Sequence, residues 1–203
     1  MKFKNHFVLG ILLMIFTSYA HAGVVILAGP SADDVDTVAP TLVNLVSASA
    51  GTIQDLDISI DLDADCCGYD NTVILTHVDT GTFAVLWWDS LIPGGGGDGG
   101  PINFGDVLGV TFDDEAANAF EDVPDGSYPV PPGSYRPFDP LSVFDGESLL
   151  GTWQLSIQNT GCCANEGDDL LGWSIIATVD EFSKEITDGN DIDGQDGIDL
   201  AVE

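Results

Sequence analysis

The chain has 203 residues, of which 34 are Asp or Glu and 4 are Lys or Arg, giving a formal net charge of −30. A chain of this length is expected to hold one domain with a real core, not a protease plus an accessory domain. With no basic patch to neutralise phosphates, so acidic a surface excludes nucleic acid and anionic lipid as partners.

Lys2 and Lys4, the apolar run Phe7 to Phe16 and the small residues of Ala20-His21-Ala22 form a secretory signal. The run is short of the roughly 20 residues that span a bilayer, so residues 1–22 are read as a cleaved leader and not an anchor. The mature protein is expected outside the cell, with the periplasm as the alternative compartment. It keeps only Arg136 and Lys184 as Lys or Arg.

The first clear strand is Thr52 to Asp63, where Leu56, Ile58, Ile60 and Leu62 alternate with Asp57, Ser59, Asp61 and Asp63. This is the pattern of a sheet with one dry face and one wet face. Thr72 to Trp88 reads as a hairpin turning at Asp79-Thr80-Gly81. Trp87 and Trp88 are adjacent, so they point to opposite faces and one is expected to be exposed. Pro93 to Pro101 contains six glycines and is expected to be a surface loop. Leu108 to Phe112 is a strand, and Asp113 to Phe120 has room for one or two helical turns. Val123 to Pro140 carries six prolines and is expected to wrap the domain as an extended crossover. Thr152 to Gln158 and Trp173 to Val179 are strands; Trp153 and Trp173 share phase with Leu155, Ile157, Ile175 and Val179 and are read as structural core residues. Short strands punctuated by Gly and Pro predict an all-β fold, an antiparallel, jelly-roll-like β-sandwich over residues 23–180. The acidic, Asp/Gly-rich tail at 181–203 has too few apolar residues to pack and is expected to be disordered. Its DGNDIDGQDGID stretch misses EF-hand spacing, because Asp196 stands where the loop glycine belongs.

Four cysteines occur as two vicinal pairs, Cys66-Cys67 and Cys162-Cys163. In an oxidising compartment they predict two disulfides, with three connectivities open. Bridges between the pairs are favoured over strained vicinal rings, and would be worth roughly 4–5 kcal/mol each in the chain-entropy model. Zinc is the rival reading, although adjacent cysteines fit its spacing poorly.

The ordered set Asp55 to Leu62, Thr72 to Trp88, Gly94 to Gly100, Phe112-Asp113-Asp114-Glu115-Ala116, Tyr135-Arg136-Pro137, Pro140 to Glu147, Gly151-Thr152-Trp153 and Trp173-Ser174-Ile175 resembles a family signature. It is similar to the P domain, or homo B domain, that follows the catalytic domain of kexin- and furin-type proprotein convertases and secreted bacterial subtilisin-like proteases. The resemblance covers roughly residues 45 to 180. It implies a β-sandwich that stabilises or docks onto a protein, here a partner such as a co-secreted protease. The Cys-Cys loops and the lack of a catalytic domain depart from the family pattern.

A Ser-His-Asp mechanism needs a base within reach of a nucleophile. His77 is the only histidine beyond the leader, and it is expected on the sheet surface or against Trp87. No enzyme activity is expected, and a hydrolase is kept as an alternative. For Ca²⁺, a hard ion with oxygen ligands, Asp113, Asp114 and Glu115 are the first candidates and Asp63 with Asp65 the second. Helix capping by Asp113 or Asp114 is the competing role. Arg136 is read as a structural ion pair that pins the crossover. The remaining alternative is a carbohydrate-binding module that stacks sugars on Trp87 or Trp88.

Overall fold

The computed structural model describes residues 21–35, 37–64, 68–88, 105–124, 127, 129–159 and 167–181. The leader through residue 20, Asp65, both cysteine pairs, the Gly-rich loop and the tail from residue 182 lie outside them. Among the described residues the strands are β1 (His21–Gly29), β2 (Thr41–Ser47), β3 (Thr52–Asp63), β4 (Asn71–His77), β5 (Thr82–Trp87), β6 (Val107–Phe112), β7 (Asn118–Ala119), β8 (Gly133–Arg136), β9 (Gly151–Asn159) and β10 (Asp169–Glu181). They form a six-stranded sheet, β1-β10-β3-β6-β8-β7, and a four-stranded sheet, β2-β9-β4-β5. The fold is a β-sandwich. No helix among the described residues is long and apolar enough to cross a membrane.

The alternation of β3 works as its sequence implies: Leu56, Ile58, Ile60 and Leu62 are buried and face the other sheet. Opposite them Trp153, Leu155 and Ile157 of β9 and Val73 and Leu75 of β4 close the core. Trp87, Phe112 and Phe120 form an aromatic cluster with ring centroids 5.1–5.6 Å apart. Burial of each such side chain contributes about 1.5–3 kcal/mol. Trp173 is also buried, its indole lying over Gly29, where any Cβ would overlap the ring.

Three of the four register shifts show how inward positions are chosen. Between β4 and β5 the register shifts from Val73↔Trp87 to Ile74↔Val85, leaving Leu86 as the extra residue. This bulge lets neighbouring Leu86 and Trp87 both point into the core. Between β3 and β6 a second bulge falls at Gly109, whose φ of +65° suits glycine; its N–H donates to Asp61 Oδ1 at 2.6 Å. A third, between β10 and β3, lifts Leu171 to the surface.

The structure differs from the sequence reading in four places. β1 and β2 are strands that no alternation announced, and β1 starts at His21, inside the span assigned to the leader. Asp113 to Phe120 forms no helix: Ala116 N–H closes a turn on Asp113 O, Glu115 N–H bonds Asp113 Oδ1 at 2.7 Å, and the chain then enters β7. An Asp side chain that satisfies the backbone two residues on favours a turn over a helix. The Pro-rich crossover contains β8, which runs parallel to both β6 and β7, so the six-stranded sheet is mixed. Prolines at 131, 132 and 137 bracket this short strand without interrupting its ladder. Finally, Arg136 makes no ion pair among the described residues.

Candidate functional site

Two polar groups are buried inside the sandwich, one at each end of β4. At the C-terminal end His77 is buried, not on the sheet surface, and its neighbour is Trp153, not Trp87. The register pairs His77 with Trp153, and the two rings stack with centroids 4.3 Å apart and planes within 3°. Its Nδ1 lies 2.7 Å from Glu147 Oε2 and its Nε2 3.3 Å from the Leu150 carbonyl, which only accepts. Glu147 also accepts from Thr80 Oγ1 at 3.0 Å and from Thr82 Oγ1. Burial would raise the Glu147 carboxyl, but hydrogen bonds from Thr82, His77 and Thr80 outweigh it and hold the group below its ordinary range. Both threonine hydroxyls are directed at the carboxylate, and among the described residues neither ring nitrogen of His77 faces a hydroxyl. The arrangement ties the β4–β5 turn to the segment before β9. Gly151 makes this possible: with φ at +136°, a Cβ there would stand 2.5 Å from Asp79 Oδ2 and 2.7 Å from His77 Nε2.

At the N-terminal end, Asn71 and its β9 partner Asn159 are buried together with Asp70 and Asp168. Asn71 Nδ2 donates to Asp168 Oδ2 at 2.8 Å, while Asn71 Oδ1 is buried with no hydrogen-bond donor among the described residues.

The acidic stretch after β6 is committed to local structure. Asp114 Oδ1 and Oδ2 accept the N–H groups of Leu141 and Ser142 at 2.8 and 2.9 Å, capping the 3₁₀ turn Leu141–Phe144. Asp113 closes its own turn, and Glu115 is exposed. No group of three or more His, Cys, Asp or Glu side chains is arranged to hold a metal among the described residues. The stretch does shape the local field. Half-buried Asp57 is pushed up to about 6, by burial first and then by Asp55, Asp113, Glu115 and Asp114; Asp145 is raised by burial and by Asp55 and Asp114. Asp63 lies exposed at the end of β3, with Asp169 as its ladder partner; Asp65 lies outside the described residues.

Arg136 bonds carbonyls where an ion pair was expected: its Nη1 donates to Ala116 O at 2.6 Å and Ala117 O at 2.7 Å. Of the tryptophan pair, Trp87 is core, its Nε1 donating to Gly68 O at 3.3 Å, and Trp88 is 40 % exposed. Cys66, Cys67, Cys162 and Cys163 lie outside the described residues, and their pairing with them.

Sequence reasoning missed the rim where β1 and β2 lie side by side. Each is an edge strand, paired on one side only among the described residues, and neither contains a charged Asp, Glu, Lys or Arg side chain within Ala22–Gly29 or Thr41–Ser47. Val24 and Ile26 are each 67 % exposed, Leu42 54 % and Val46 74 %. The opposite edge, β5, is covered: Phe138 and Asp139 N–H groups bond Leu86 O and Val85 O. Counting charge along the strands would have flagged the rim.

No family model matches the chain, and no curated protein matches it. Among solved structures, the chain is similar to the serine protease of Aeromonas sobria in complex with its chaperone, with a TM-score of 0.41 and 16 % identity over 78 % of this chain. A second is the serine protease of Aeromonas sobria, with a TM-score of 0.40 and 16 % identity over 77 % of this chain. The match spans 27 % of the length of each of those chains.

Proposed function

We propose that this chain is a secreted, non-catalytic, P-domain-like module that docks onto a partner protein and stabilises it. The observation that carries the reading is the uncharged, apolar double edge of β1 and β2 on a chain of net charge −30. Bare edge strands with exposed Val and Ile invite strand addition and are normally blunted by charge. With no acid in either strand, the rim presents apolar surface that a protein partner would cover. The signature resemblance supplies the class of partner, a co-secreted protease.

The test is co-purification of the tagged chain with proteases from the same secretion medium, alongside Val24→Asp and Ile26→Asp. Capture of a protease by the wild type and its loss in both variants supports docking through this rim. Equal capture by all three removes the rim from the proposal. Exposed Trp88 favours a second reading, carbohydrate binding by ring stacking. Retention on insoluble polysaccharide that disappears in Trp88→Ala would establish that reading in place of docking.

A further inference from the structure

We propose that the end of the sandwich where β4 begins and β9 ends binds a divalent cation of the calcium type, with oxygens of Asp70, Asn71 and Asp168 as ligands. The site is separate from the Asp113–Glu115 stretch and stands on the fold alone, independent of the docking role.

Six polar or charged residues are buried among the described residues, and four of them, Asp70, Asn71, Asn159 and Asp168, belong to this one end. Three elements bring them together. Asp70 closes the 3₁₀ turn Gly68–Asp70 that leads into β4, the ladder sets Asn71 opposite Asn159, and Asp168 immediately precedes β10. Directly paired residues of an antiparallel ladder project to the same face, here the inner one.

Asn71 supplies the independent observation. Its NH₂ is engaged with the Asp168 carboxylate at 2.8 Å, which fixes which way the amide points. The carbonyl oxygen of the same amide is therefore held beside that carboxylate, fully buried and with no donor among the described residues. A buried acceptor left unmet costs about 1–3 kcal/mol, and a cation meets it where a hydrogen-bond donor does not. Two carboxylates and a carboxamide oxygen form an all-oxygen set, the donor type that hard cations take and zinc or copper do not favour. The composition points the same way: Arg136 is the only Lys or Arg among the described residues, and its guanidinium is spent on Ala116 and Ala117. Two carboxylates in the low-dielectric interior of so acidic a chain favour a bound cation.

The test titrates Ca²⁺ alone into chelator-treated protein and follows the melting temperature, since a ligand specific to the folded state must raise it. Wild type and the double variant Asp113→Asn/Glu115→Gln should both be stabilised, while Asp168→Asn should bind at least about tenfold more weakly. Asn71→Asp, which adds a third carboxylate, should melt lower than wild type in chelator and gain more from Ca²⁺. Tb³⁺ luminescence excited through tryptophan gives a second readout that does not depend on any variant folding; Trp87 bonds the Gly68 carbonyl two residues from Asp70. Ca²⁺ should displace that signal. The proposal is overturned if wild type melts identically in Ca²⁺ and chelator, if wild type yields no Ca²⁺-displaceable Tb³⁺ signal, or if the Ca²⁺ shift survives Asp168→Asn and vanishes in the Asp113→Asn/Glu115→Gln variant.

Discussion

β4 buries a polar residue at each end, His77 and Asn71, on the same face and against the same partner strand β9. At the His77 end side chains and one carbonyl meet each other: imidazole to Glu147 and Leu150 O, carboxylate to two threonines, ring to indole. At the Asn71 end the carboxamide oxygen lacks a donor among the described residues while its nitrogen is held by Asp168. The difference teaches that burial of a polar group does not by itself mark a site. A group whose donors and acceptors are matched is a fastener, and one with an oxygen left over has capacity for a ligand.

The largest test of the fastened end is Trp153→Ala, which removes the stack on His77 and the edge contact with Phe144 at 5.2 Å. It should cost about 3–5 kcal/mol of unfolding free energy in urea titrations. Glu147→Gln comes next, at about 1–3 kcal/mol, because it keeps the shape but breaks the charge-assisted bond to His77. It should also change the pH profile. The Glu147 carboxyl is held below its ordinary 4.5 in the folded state, so its contribution is present above that value and is lost as pH falls through the lower folded value. Wild type should therefore lose stability relative to Glu147→Gln below about pH 4.5.

Asp57 lies outside this comparison and has the opposite sign. Its folded value of about 6 stands above the ordinary 3.8, so what it contributes is present below 3.8 and lost as pH rises through 6. Asp57→Asn should stabilise the protein by about 1 kcal/mol at pH 8, discounted for its solvent exposure, and have little effect at pH 3. The smallest effect belongs to Trp88→Ala, expected to stay within about 0.5 kcal/mol because the side chain is largely outside the core.

What the sequence disclosed depended on contrast between faces. β3, the β4–β5 hairpin, β9 and β10 alternate apolar with polar residues, and their buried sets, including Trp153 and Trp173, are legible from that period. β1 is a continuous apolar run directly after the leader's own, so it offers no contrast. β2 keeps a period of two in its burial but places Leu42 and Val46 on the exposed face and Ser47 on the buried one, so hydropathy does not mark its inner side. Trp87 is turned inward by a bulge at Leu86, a shift in pairing that composition does not encode. The partners at the sites are distant in sequence: Glu147 lies 70 positions from His77, and Asp168 lies 97 from Asn71. Local spacing carries no trace of either pair. It did single out Asp113 and Asp114, but as calcium ligands or as caps of a local helix; the turn that Asp114 caps lies 27 positions on.

β10, last of the described strands, lies between β1 and β3 and hydrogen-bonds along both. The six-stranded sheet is therefore split until residues 169–181 arrive. Folding must await that stretch and form contacts between distant parts of the chain, which makes it slow and leaves β1 and β3 open to other partners meanwhile. A chain stopped before residue 169 would lose the strand that joins its first element to the rest.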